Sequence, residues 1–327
     1  MMPKVLVTAP IPEEGLGLLR RGSDLILLDN DEPKGHAELT PHLREVQGLL
    51  CLLSDTIDRR VMDAGPDLRV IANYAVGFDN VDMAEATRRR IAVTNTPDVL
   101  TEATADLAWA LLLAAARRVT EGERFMRAGR FRGWGPLLLL GGAVHGKSLG
   151  VVGAGRIGAA VARRAVGFRM RVLYTDVQER PGLERQVGAM RVPLDTLLSE
   201  ADFVSLHVPL TEETKHLIGT RELATMKPTA FLINTSRGAV VNEQALIAAL
   251  QSGEIRGAGL DVYEMEPEVP DALLQLENVV LLPHVGSATV EARGAMAKMA
   301  AENVLAGTEG RRPPNILNPE IYDAERE

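Results

Sequence analysis

"SLGVVGAGRIGAAVARRAVGF", residues 148–168, opens as an apolar strand, passes through Gly153, Gly155 and Gly158, and continues as an alanine- and arginine-rich helix. In a G-x-G-x-x-G spacing the first glycine permits a tight turn and the second lets the backbone approach a pyrophosphate. The third lets helix and strand pack closely. The helix start adds free N–H groups and a partial positive charge. The next strand candidate, "MRVLYTD", ends at Asp176, eighteen residues after Gly158. That is close to the roughly 20 expected of an acid that accepts hydrogen bonds from the ribose hydroxyls and repels a 2′-phosphate. NAD is therefore favoured over NADP, with Arg180 as the residue that could pair with a phosphate instead.

Outward from this stretch, short strand-like runs alternate with helix-like segments from end to end. This is the pattern of an α/β protein with parallel sheets. The first hundred residues offer "KVLVTA", "DLILLD", "GLLCLL", "RVIANY" and "IAVTN". A second series runs through "SLGVVG", "MRVLYTD", "DFVSLHVP", "AFLINTSRG", "IRGAGLD" and "NVVLLPH". Between the two lies "TEATADLAWALLLAAARRVTEGERFMRAG", read as one long helical stretch capped at Asp98 or Thr101. Its apolar positions outnumber a single stripe, which implies packing on several sides, across domains or in a subunit interface. The last helix candidate, "TVEARGAMAKMAAENVLAG", follows the completed second series and is expected to return to the first domain.

Composition narrows the function classes. A chain of 327 residues suffices for two cores, and 46% hydrophobic with 24% charged residues is ordinary for a globular protein. A net charge of −8 argues against a general nucleic-acid or anionic-membrane binder. The basic runs Arg88–Arg90 and Arg311–Arg312 read as solvated surface. The lone cysteine, Cys51, excludes an internal disulfide framework and reads as a small core residue. The N-terminal stretch shows no signal-peptide pattern and no run approaches a membrane span, so the expected location is cytoplasmic. No metal-ligand pattern stands out.

In an open parallel sheet, ligands sit beyond the carboxyl ends of the strands. His207, Arg237, Asp261 and His284 all fall at such ends in the second series, and an acidic run, Glu264, Glu266 and Glu268, follows Asp261. Each has a bland alternative, a satisfied structural histidine or a solvated loop. Their coincidence at one sheet edge suits the reduction of a 2-keto acid. A guanidinium binds a carboxylate at two points and polarises the adjacent carbonyl. A histidine kept protonated by a carboxylate donates a proton to the carbonyl oxygen as hydride arrives.

The motifs "ANYAVGFDNVD", "NTPDVLTEATADLAWALLLAAARR", "GWGPLLLLGG", "GVVGAGRIG", "INTSRGAVVNEQAL", "GLDVYEMEP" and "LLPHVGSAT", in this order, resemble the D-2-hydroxyacid dehydrogenases, and among them most closely the glyoxylate/hydroxypyruvate reductases. The resemblance implies Arg237 as the substrate-orienting arginine, His284 as the proton donor and Glu266 as its carboxylate partner. It also implies that Leu53, Val76, Gly77 and Trp134, with one or more of Leu137 to Leu140, meet the substrate, the backbone N–H groups of Val76 and Gly77 cradling its carboxylate. The implied cofactor contacts are Gly153, Gly155, Arg156, Ile157, Gly158, Asp176, His207, Pro209, Thr214, Thr235, Asp261 and Gly286, with Asp261 on the nicotinamide carboxamide. Residues 1–99 with 289–327 would form a flavodoxin-like substrate domain. Residues 100–288 would form a Rossmann domain carrying dimerisation helices, giving a homodimer. Phosphite dehydrogenase, with a lysine where Val76 stands, and formate dehydrogenase, with glutamine for Glu266, match less well. A nucleotide-sensing binding protein of the same fold is the alternative from a different class.

Overall fold

The strands form two sheets, each parallel throughout. A computed structural model describes residues 2–325; residues 1, 326 and 327, at the outer ends of the first expected domain, lie outside the described residues. The chain divides into two compact units, one made of residues up to Leu100 together with those from Ala288, the other of Thr101–Ser287.

The first unit holds β1 (Lys4–Val7), β2 (Asp24–Leu27), β3 (Gly48–Cys51), β4 (Val70–Asn73) and β5 (Ala92–Thr94) in the order β2-β1-β3-β4-β5. This is the flavodoxin-like order. Strands β3 and β4 are buried along their whole length, as strands covered on both faces must be. Cys51 is fully buried, and burial pushes its thiol well above the usual range. The helix Val290–Thr308, capped by Thr289 accepting from the Ala292 N–H, packs on the helix Glu13–Gly22 and on β3 and β4. The approach is close because small residues face each other: a Cβ on Gly15 would lie 2.5 Å from the Ala297 carbonyl oxygen. The basic runs are paired at the surface, Arg88 and Arg89 with Glu85 and Arg311 with Glu309.

The second unit holds β6 (Ser148–Val152), β7 (Arg171–Thr175), β8 (Met190–Arg191), β9 (Phe203–Leu206), β10 (Phe231–Asn234), β11 (Gly257–Leu260) and β12 (Val279–Leu281), ordered β12-β11-β10-β9-β6-β7-β8. Numbered within the unit, this is the Rossmann order with a seventh strand, and the direction of winding reverses between β6 and β9. All eleven strand candidates from the sequence form strands, each shorter than its apolar run. Strand β8 was not among them: it has two residues, both exposed, at the sheet edge, and carries no apolar signal.

The stretch expected as one long helix is two, Thr101–Arg117 and Val119–Arg127, broken where Arg118 adopts a left-handed conformation (φ 54°). The first is buried at Thr104, Ala105, Ala108, Trp109, Leu111, Leu112 and Ala116. Trp109 donates its indole N–H to the Val161 carbonyl (3.0 Å), where an unpaired buried donor would cost about 1–3 kcal/mol, and stacks on Phe168. The second helix buries nothing within the chain. Among the described residues no helix is long and apolar enough to cross a membrane, and no group of His, Cys, Asp and Glu side chains is arranged to hold a metal ion.

Gly15→Val is expected to lower the urea midpoint, because overpacking a tight contact costs about 1–3 kcal/mol. An unchanged midpoint would show that the two helices separate freely.

Candidate active site

The glycine stretch forms the turn its spacing implies. Gly153 has φ 86°, and a Cβ on it would lie 2.8 Å from the carbonyl of His207, the residue after β9. On Gly158 a Cβ would meet the Gly153 carbonyl at 2.0 Å, whereas on Gly155 it would meet no atom within 4 Å. Arg156 and Ile157 begin the helix Arg156–Arg164, whose N-terminus has no side-chain cap. Asp176, its side chain 7% exposed, accepts the Ala154 N–H at 2.8 Å and the Gln178 N–H at 2.9 Å. Arg180 grips the same carboxylate with contacts of 3.2–3.3 Å, so its guanidinium is turned to the acid. The Thr235 hydroxyl is buried without a protein partner among the described residues. Thr214 donates to the Pro209 carbonyl (2.6 Å). A glycine with open space beside an uncapped helix start, a neighbouring carboxylate and an orphan hydroxyl fit a dinucleotide.

Arg237 follows β10 on a loop built by Asn234. That side chain donates to the Arg237 carbonyl (2.9 Å) and accepts from the N–H and hydroxyl of Ser236 (3.0 and 2.8 Å). The Arg237 guanidinium donates back to the Ser236 carbonyl (2.9 Å). Gly238 lets this loop lie directly on another: a Cβ there would fall 1.8 Å from the carbonyl carbon of Tyr263.

Beyond β11 and β12 the remaining residues meet. His284 Nδ1 lies 2.7 Å from Glu266 Oε2, and Glu266 Oε1 accepts the Tyr263 N–H at 2.9 Å. Burial pushes the Glu266 carboxyl up. The hydrogen bond and charge of His284, the Tyr263 N–H and the charge of Arg237 outweigh that effect, and the group sits below its ordinary 4.5. His284 adopts φ 53°, an uncommon conformation for a side chain of its size. Asp261 holds it there: its backbone carbonyl accepts the His284 N–H (2.8 Å), and its carboxylate accepts the N–H groups of Val285 (2.8 Å) and Gly286 (2.7 Å). Burial raises the Asp261 carboxyl despite those bonds. His207 differs from His284: its partner is the Ser205 hydroxyl, and burial pushes its pKa down to about 3. Of the two, only His284 has a carboxylate at hand.

Within the second unit the structure thus brings together Arg237, Asp261, Glu266 and His284. The first unit places Leu53, Val76 and Gly77 on loops after β3 and β4. There Asn95 donates to the Val76 carbonyl and Asn73 to the Gly77 carbonyl, both at 2.8 Å. Because C=O and N–H point opposite ways across a trans peptide, the Asn95 contact turns the Gly77 N–H away from Asn95. Trp134 stands 85% exposed on the chain, with Leu137 also exposed. Sequence reasoning passed over Asn73, Asn95 and Asn234; an asparagine closing an apolar strand was the available signal.

Residues 109–286 match the family model of the D-isomer specific 2-hydroxyacid dehydrogenases, NAD binding domain. The chain is 54% identical to a glyoxylate reductase of Korarchaeum cryptofilum over 98% of its own length and 97% of the relative's. It is 50% identical to one of Thermococcus litoralis, covering 98% of each. Among solved structures, a protein of Thermus thermophilus superimposes with a TM-score of 0.90 at 48% identity, covering 96% of this chain and 99% of that one. The NADPH-dependent glyoxylate/hydroxypyruvate reductase of Sinorhizobium meliloti, solved with NADP and malonate, gives 0.87 at 37% identity over 97% of both chains. Fold and matches together define an oxidoreductase with a Rossmann domain for a nicotinamide dinucleotide. More particularly, the chain belongs to the D-isomer specific 2-hydroxyacid dehydrogenase family.

A carboxylate whose folded pKa is depressed stabilises the fold above its unfolded value, here 4.5, and loses that contribution as pH falls through the lower folded value. Between about pH 5 and about pH 3 the unsubstituted chain is expected to lose more stability in urea melts than Glu266→Gln, which lacks this titration. Equal losses would contradict the depressed value.

Proposed function

We propose that the protein reduces glyoxylate to glycolate, and hydroxypyruvate to D-glycerate, with NADH as the preferred reductant. The observation that carries this reading is the 2.7 Å contact of His284 with Glu266, set at the carboxyl edge of the sheet with Arg237 close enough for its charge to act on Glu266. The names of the relatives supply the substrate class.

Gly153, Gly155, Arg156, Ile157 and Gly158 would hold the dinucleotide pyrophosphate, Asp176 the ribose, and His207, Pro209, Thr214, Thr235, Asp261 and Gly286 the remainder. A bound reduced nicotinamide supplies the hydride. Arg237 binds the substrate carboxylate and polarises its carbonyl. His284 donates the proton that turns the carbonyl oxygen into a hydroxyl, and Glu266, on the other ring nitrogen, orients the imidazole. The first unit would then be the substrate domain and the second the nucleotide domain.

For the cofactor, a carboxylate at Asp176 disfavours a 2′-phosphate, and its pairing with Arg180 occupies the cation that a phosphate would need. A homodimer is supported by the apolar side chains left exposed at Met126, Phe131, Trp134, Leu137, Leu138 and Leu140, on and after a helix with no buried residue. Light scattering should return twice the 35.3 kDa chain mass, and the monomer mass would refute it.

Initial rates with glyoxylate, then hydroxypyruvate, with NADH and NADPH in parallel, test the activity. Fast NADH oxidation is expected, and no oxidation with either cofactor would reject the assignment. Arg237→Ala should lower kcat/KM by about a hundred-fold or more, the cost of losing a two-point charged contact, with the fold retained. Near-normal turnover would remove Arg237 from this role.

A further inference from the structure

A second histidine–carboxylate pair shares the turn that carries Glu266. His216 Nε2 is 2.7 Å from Glu264 Oε1, and Glu264 stands two residues before Glu266 in the same turn. Glu264 is no freely solvated loop acid: its side chain is 26% exposed. Its other oxygen accepts the Glu243 N–H (3.3 Å), while Glu243 accepts the Glu264 N–H (3.4 Å). His216 is joined in turn to the arginine loop, since its backbone N–H donates to the Ala239 carbonyl (2.8 Å) and the Ile218 N–H to that of Val240 (3.1 Å). Like His284, it adopts a left-handed backbone, with φ 52°. Such conformations persist where surrounding contacts over-determine them.

We propose that His216 is a positioning residue for the reduction: through Glu264 it fixes the 263–266 turn and thereby the Glu266 carboxylate that serves His284. The inference rests on the reductase reading above. Tyr263 anchors the start of the turn in the hydrophobic core, but beyond it the turn has no apolar hold at Met265, which lies between the two glutamates and is 70% exposed. From Glu264 to Glu266 its place is set by polar contacts: the Glu266–His284 contact, and Glu264 on His216 and the Glu243 N–H. Glu264 and the buried Glu243 are like-charged neighbours; burial first, then the charge of Glu264, raises the Glu243 carboxyl. His216 is the donor that offsets this repulsion. Without it the turn relaxes away from Glu243, and Glu266, two residues on, shifts relative to His284. Because the His216 backbone N–H also holds the Ala239 carbonyl, one residue ties the glutamate turn, through its imidazole, to the loop bearing Arg237, through its main chain.

The test compares the unsubstituted enzyme with His216→Ala and His216→Gln, whose amide N–H can replace the imidazole donor. Expected for His216→Ala is a loss of about ten-fold in kcat and in kcat/KM alike, short of the roughly hundred-fold that a 1 Å misplacement can cost. The dissociation constant for NADH should stay unchanged, and His216→Gln should recover most of the rate. Glu264→Ala, approached from the other side of the pair, should reproduce the loss should His216→Ala fail to fold. A lowered melting temperature with normal kcat in the folded variants, or no rescue by glutamine, would overturn the inference while leaving the reductase reading intact. An unsubstituted chain inactive on every 2-keto acid would overturn both.

Discussion

The contact between Glu266 and His284 works only because two stretches of backbone are held where neither would settle alone. His284 sits in a left-handed conformation, anchored by three hydrogen bonds to Asp261. The Glu266 turn lies so close to the arginine loop that only a glycine, Gly238, fits between. Strain of this kind, about 1–3 kcal/mol per residue, is tolerated when surrounding contacts over-determine it. The parallel sheet does so by delivering Arg237, Asp261 and His284 from the ends of β10, β11 and β12, three neighbouring strands.

Electrostatics then separates the candidates. Two histidines follow strands of the same sheet, yet burial without a carboxylate drives His207 to about 3, whereas His284 has Glu266 beside it. The two acids divide as well. Glu266 is lowered although buried, because a histidine, a backbone N–H and an arginine all favour its charge. Asp261 is raised by its deeper burial and spends its oxygens on the chain. One acid thus acts on a side chain and the other on the backbone that carries it.

Much of this was legible in the sequence, for identifiable reasons. Apolar runs announced eleven strands because buried parallel strands must be apolar throughout, and the glycine spacing marked the nucleotide turn because each glycine has its own steric cause. Strand β8 was silent because an exposed edge strand has no such demand. The break at Arg118 was hidden inside a good helical composition, since helical periodicity does not report a single left-handed residue. Among site residues, charged groups at strand ends stood out, but Asn73, Asn95, Asn234 and His216 did not. Their role is to hold backbone or another side chain, and that depends on partners remote in sequence: Asn95 on Val76, His216 on Glu264. The choice of Glu266 within its acidic run came from family resemblance, and the geometry now gives it a physical ground in the contact with His284.

The most direct test is a double-mutant cycle on glyoxylate reduction with Glu266→Gln, His284→Asn and the pair combined, read as kcat/KM with NADH. If Glu266 acts through His284, the double variant should be about as slow as His284→Asn alone, a strongly non-additive result. Losses that simply multiply would mean that the two residues act independently, and the Glu266–His284 account would be wrong.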